Sequence, residues 1–148
     1  MKKNVKEYKT VIDTNVIISA IAFGGAPREV LNLAVTGKIS NYISEDIIDE
    51  VKKVLQRHKF RYDTLKIKAV VHELELISEY MNPERIADAL THTNFSIQDY
   101  DDNYIIACAF AAQAGYLVTG DSDLLVLKED LRQSLKILTP RKFIKDFK

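Results

Sequence analysis

Short apolar runs rich in β-branched residues alternate along this chain with longer segments whose apolar positions recur at helical spacing. The run in "EYKTVID" (7–13) predicts a buried strand that ends on an acid, Asp13. "TNVIISAIAF" (14–23) follows as a first helix, stopped at Gly24-Gly25. Pro27 then opens a second helix, "PREVLNLAVTG" (27–37), with Val30, Leu31 and Ala34 on one face. "KISNYIS" (38–44) reads as a second strand, and Ser44 as the N-cap of "EDIIDEVKKVLQRHKF" (45–60), acidic in its first turn and basic later, as the helix dipole favours. "DTLKIKAVVHELELISEYMN" (63–82) predicts one long amphipathic helix, whereas 83–98 fits either strand or loop. "DDNYIIACAFAAQAG" (101–115) is apolar on nearly every side and so predicts a buried helix. "GYLVTGD" (115–121) is another buried strand, "SDLLVLKED" (122–130) a short helix, "LKILT" (135–139) a last strand and "PRKFIKDF" (140–147) a terminal helix. Buried strands alternating with helices predict a three-layer α/β/α fold with a central parallel sheet, in one domain spanning 1–148.

Four acids fall at special places in that scheme. Ligands of open parallel sheets bind outside the carboxyl ends of the strands. Asp13 directly follows the first strand and Asp121 follows Val118-Thr119, so both emerge at one edge if the two strands are parallel neighbours. Glu50 lies beside the helix face set by Ile47, Ile48, Val51, Val54 and Leu55, while Asp49 points away from it. Asp102 starts the buried helix, with Ile105, Ile106 and Ala109 at i+3, i+4 and i+7. Each acid taken singly has an ordinary explanation, as an Asx turn, a helix cap or a surface carboxylate; Asp99 and Asp101 compete with Asp102, and Asp123 with Asp121. Taken together, acids from separate elements at one edge must share protons or bind cations, and an all-oxygen site suits Mg²⁺ or Mn²⁺.

Composition narrows the alternatives. Hydrophobic residues make up 47% and charged residues 28%, the balance of a globular protein. The N-terminus has no apolar segment of a secretory signal, no run is long enough to span a bilayer, and Cys108 is the single cysteine, so a reducing cytoplasm is the expectation. The 21 basic and 21 acidic residues cancel, which argues against a wholly basic nucleic-acid-binding surface. Seven of the basic residues, however, stand between Lys52 and Lys68 against one acid, Asp63. That run is by itself most simply a solvated helix face. His58, His72 and His92 lack zinc-ligand spacing, there is no phosphate-binding glycine loop, and Cys108 reads as core.

"VIDTNVIISA", "SEDIIDEVKKVL", "DYDDNYIIACAFAAQAGYLVTGDSDLLVL" and "ILTPRKFI" together resemble, in order, the four blocks of PIN-domain ribonucleases. The most similar group is that of toxins of type II toxin–antitoxin pairs (VapC-like). The resemblance implies metal-dependent hydrolysis of RNA phosphodiesters in the cytoplasm, with Mg²⁺ or Mn²⁺ as cofactor. It carries the catalytic and metal-binding roles to Asp13, Glu50, Asp102 and Asp121, with Asp123 as an additional metal acid, and supporting roles to Thr14, Asn15 and the hydroxyl of Thr119. Lys52, Lys53 and Arg57, directly after Glu50, then become candidates for contact with the RNA backbone. A cognate antitoxin and a homodimer are the implied partners, with no membrane. Tyr100 departs from the group, which commonly has proline there. The competing readings are a PIN-like domain that only binds RNA or protein and, further off, a Mg-binding receiver-like domain, which would need an acid pair before the first strand's end. An aspartyl phosphatase would want a second acid where Asn15 stands.

Overall fold

Val11 and Ile12 of β1 (Lys9–Ile12) are shut off from solvent on both faces, the environment of a central strand in a parallel sheet. The computed structural model describes residues 8–57, 59–91, 100–126 and 135–148, apart from the side chains of 90 and 100–103. Around β1 stand β2 (Ser40–Ser44), β3 (Ser78–Met81), β4 (Tyr116–Val118) and β5 (Lys136–Leu138). The five strands run in the order β3-β2-β1-β4-β5 and every neighbouring pair is parallel. Eight described helices join and flank them: α1 (Thr14–Ala22), α2 (Gly25–Val35), α3 (Glu45–Leu55), α4 (Thr64–Leu76), α5 (Pro83–Thr91), α6 (Tyr100–Ala112), α7 (Ser122–Leu125) and α8 (Pro140–Phe147). The expected α/β/α architecture with a central parallel sheet is what the chain adopts.

The helices that carry the acids are fixed by local chemistry. Ser44 ends β2 and caps α3, its Oγ accepting the Ile47 N–H at 3.2 Å. Ile47, Ile48, Val51, Val54 and Leu55 then bury one face of α3, which packs on β2, α1 and α4. α6 is buried along Ile105, Ile106, Ala107, Cys108, Ala109 and Ala112, and its small residues let it lie close over β1 and β2. At the far end, Thr139 caps α8, and Phe143 and Phe147 close edge-on against Tyr116 and Tyr8 at 5.4 and 4.8 Å between ring centroids.

Two expectations need correction. The long helix over 63–82 ends at Leu76, and Ser78–Met81 is instead the edge strand β3, paired with β2. Leu74, Ile77 and Met81 sit at i, i+3 and i+7, so the apolar spacing continues across a boundary that the backbone does not. Tertiary pairing decides the matter: the Asn41 Nδ2 donates to Ser78 Oγ at 2.8 Å, and Met81 is buried. The ambiguous stretch after it begins with a helix, α5, whose Pro83 opens the first turn and whose Asn82 Oδ1 accepts the Arg85 N–H at 2.9 Å. Smaller differences are that α3 stops at Leu55, short of Phe60, and that α2 starts at Gly25, after Gly24 takes a positive φ of 83°. Among the described residues no single helix is long and apolar enough to cross a membrane; α1 and α2 pass that test only as a pair, and they are bent by 101°.

Two outcomes follow from this packing. Ser44→Ala should lower stability by about 1 kcal/mol, seen as a lower denaturation midpoint in urea, because the first turn of α3 loses its cap. Burial also pushes the Cys108 thiol up from 9.0 to about 12. The native thiol therefore stays protonated where the unfolded chain's thiol ionises, so its contribution to stability falls as pH rises from 9 toward 12. Wild type should lose stability over that range more steeply than Cys108→Ala; parallel curves would refute the assignment.

Candidate active site

The register of β1 and β4 pairs Ile12 with Val118, so the residues that follow the two strands come out side by side. The Asp13 N–H donates to the Val118 carbonyl at 2.9 Å, extending the ladder by one residue. The chain order of the strands reverses here, β2 lying on one side of β1 and β4 on the other, and such a reversal opens a crevice at the carboxyl edge. Asp13 and Asp121 emerge at that edge because their strands are parallel neighbours.

Asp13 stands at the N-cap of α1, and its carbonyl accepts the Val16 and Ile17 N–H groups at 3.0 and 3.1 Å. Its carboxylate makes no capping hydrogen bond, so the ordinary explanation of an acid between strand and helix does not hold. Instead Thr119 Oγ1 donates to Asp13 Oδ2 at 2.6 Å. Both side chains are buried, with Asp13 6% and Thr119 0% exposed. The same hydroxyl accepts the Asp121 N–H at 3.0 Å, so one side chain sets the position of both acids. Asp121 does act as a cap: its Oδ1 takes the Asp123 N–H at 2.9 Å and begins the short α7.

Asp13, Glu50 and Asp121 line one cleft of about 280 Å³, together with Thr14, Asn15, Lys53, Arg57, Tyr104 and Ile105. Glu50 is half-buried at the margin of α3, whereas Asp49 beside it is exposed. Thr119 is fully buried and does not itself line the cleft. Asp123 is exposed on α7 and does not line it, and Lys52 is exposed and separate from Lys53 and Arg57. Asp102 falls in the first turn of α6, and its side chain, like that of Asp101, lies outside the described residues, as do Asp99, His58 and His92. Tyr104 was not among the candidates. Its hydroxyl stands 3.4 Å from Thr14 Oγ1, and the only hint in the sequence is a polar-tipped aromatic at the head of an apolar helix.

The donor set suits a hard divalent cation, since all three described acids of the cleft offer carboxylate oxygen. Among the described residues no three acidic, histidine or cysteine side chains stand close enough to form a closed cation site. A cation here would therefore complete its shell with water, as Mg²⁺ ordinarily does.

Comparison with known proteins agrees with this architecture. The family model described as PIN domain matches residues 9–123. An uncharacterized protein of Methanocaldococcus jannaschii, MJ1680, is 34% identical over 150 residues, covering 94% of this chain and 91% of that protein. Among solved structures, a chain of VapBC2 from Rickettsia felis, crystallised bound to a DNA fragment from their promoter, superposes with a TM-score of 0.60 at 17% identity. The match covers 87% of this chain and 96% of that one, and it shows a shared fold.

The bond from Thr119 gives a direct test. Thr119→Val keeps the shape but leaves the Asp13 carboxylate and the Asp121 N–H short of a partner, and should cost about 1–3 kcal/mol in metal-free urea denaturation. Thr119→Ser retains the hydroxyl and should recover most of that loss. A loss in Thr119→Ser with none in Thr119→Val would mean that the methyl group, not the hydrogen bond, stabilises the site.

Proposed function

Because this chain belongs to the PIN-domain family, we propose that it is a divalent-metal-dependent endoribonuclease, the toxin of a toxin–antitoxin pair. The observation that carries the reading is the buried Asp13, at an N-cap position yet not capping, in one cleft with Glu50 and Asp121. The family model matches residues 9–123, and the resemblance to PIN-domain ribonucleases implies divalent-metal-dependent nuclease chemistry. The VapBC2 chain of like fold supports the pairing with an antitoxin.

In this mechanism Asp13, Glu50 and Asp121 would hold Mg²⁺ or Mn²⁺, with Asp102 as the fourth acid and Thr119 fixing the rotamer of Asp13. When bound, the cation supplies charge to polarise the phosphodiester and lowers the pKa of attacking water. Without it the carboxylates would repel a phosphate, so substrate binding and chemistry share one requirement. A carboxylate at the cleft wall accepts the water's proton as the oxygen bonds to phosphorus. The bond from phosphorus to the leaving oxygen then breaks, and that oxygen takes a proton from solvent, giving a phosphate monoester and a hydroxyl. The buried Thr14 and the exposed Asn15 offer neutral polar groups in the lining of the same cleft, suited to orient the strand without adding charge.

Incubating the chain with a mixed-sequence single-stranded RNA in Mn²⁺ tests the proposal. Cuts should appear, vanish in EDTA, and fall by about 100-fold or more in Asp13→Asn, the scale on which a lost electrostatic partner of a reaction acts. RNA that is bound but left intact under every metal condition would assign the chain a binding role instead.

A further inference from the structure

Helix α3 brings more than an acid to the cleft. Lys53 and Arg57 stand three and seven residues beyond Glu50, in phase with it at 3.6 residues per turn, and all three line the same cavity. Among the described residues neither cation forms an ion pair, although the cleft is walled by carboxylates. Other cations of the basic run are engaged elsewhere: Lys59 lies 5.6 Å from the Phe60 ring centroid and Lys66 lies 5.0 Å from that of Tyr62. The basic run is thus divided, and only its part in phase with Glu50 faces the acids.

A cation beside carboxylates but unpaired with them is placed to meet an anion. At 1.5 Å rise per residue, Lys53 lies about 4.5 Å and Arg57 about 10.5 Å along the helix axis from Glu50. That interval between the cations, about 6 Å, is of the order of one nucleotide step in an extended strand. Lysine serves as a compact point charge for phosphate, and the arginine fork can bind one through two parallel N–H groups. We propose that Lys53 and Arg57 form a phosphate clamp that holds two consecutive phosphates on one side of the cut, so that the substrate is a single strand running along α3. This rests on the nuclease reading above and adds to it a direction and a minimum length of substrate: the scissile phosphate at the acids, and at least two more beyond it.

The test is equilibrium binding of a labelled 12-nucleotide single-stranded RNA by the full chain in Ca²⁺, measured across NaCl concentration, with cleavage of the same RNA followed in Mn²⁺. Each phosphate contact on a single strand contributes about 0.7 to the slope of log K against log salt, so Lys53→Met/Arg57→Met should flatten the slope by about 1.4. The same variant should raise KM while leaving kcat within about two-fold, since the clamp binds substrate and transition state alike. Lys66→Met/Lys68→Met, which removes the same charge from α4, should leave the slope unchanged. An unaltered slope in the first variant, or an equal change in both, with cleavage intact, overturns the clamp alone. A wild-type chain that neither binds nor cuts RNA overturns the clamp and the nuclease reading together.

Discussion

A carboxylate taken out of water must be compensated, and the rest of the site is arranged around that constraint at Asp13. The acid sits where β1 gives way to α1, a place where a capping side chain would ordinarily turn back to the helix amides. Here Thr119 of the neighbouring strand end reaches it first, at 2.6 Å. Because that hydroxyl also takes the Asp121 N–H, one bond network links two strand ends and two acids. The parallel pairing of β1 with β4 is its precondition: shift the register by one residue, and Thr119 would face the other side of the sheet.

Helix α3 answers a different problem. Its apolar face anchors it to the sheet through Ile47, Val51 and Leu55, and Ser44 fixes where it starts. With start and rotation both set, the margin of the helix becomes a ruler along which Glu50, Lys53 and Arg57 fall in a row. Like charges with the acids of the strand ends occupy one end of that row and opposite charges the other. The overall charge of zero conceals this separation.

How much of this was legible in the sequence differs by residue, for physical reasons. Asp13 and Asp121 could be placed because strand ends in a parallel sheet share an edge, and Glu50 because a strong helical period fixes its angle to the core. Lys52 and Lys53, adjacent in sequence, part company for the same reason: successive residues of a helix lie about 100° apart. β3 was hidden because Leu74, Ile77 and Met81 keep helical spacing across the break, and only pairing with β2 distinguishes the two. Thr119 had no signal in charge or period, and its bond to Asp13 depends on a contact between residues distant in sequence. Asp123 is expected from the sequence only as an additional metal acid beside Asp121; its backbone N–H donates to the Asp121 carboxylate two residues earlier, and its own side chain is exposed.

The bond from the Asp13 amide to the Val118 carbonyl has a consequence for motion. It makes this residue the last rung of the central ladder, rather than the first residue of a loop. Loops open locally at little free-energy cost, whereas the middle of a sheet opens only when much of the domain does. The backbone that carries this carboxylate therefore moves with the sheet, on a timescale far shorter than that of strand separation. Heat or denaturant would leave its geometry almost unaltered until the fold itself gives way.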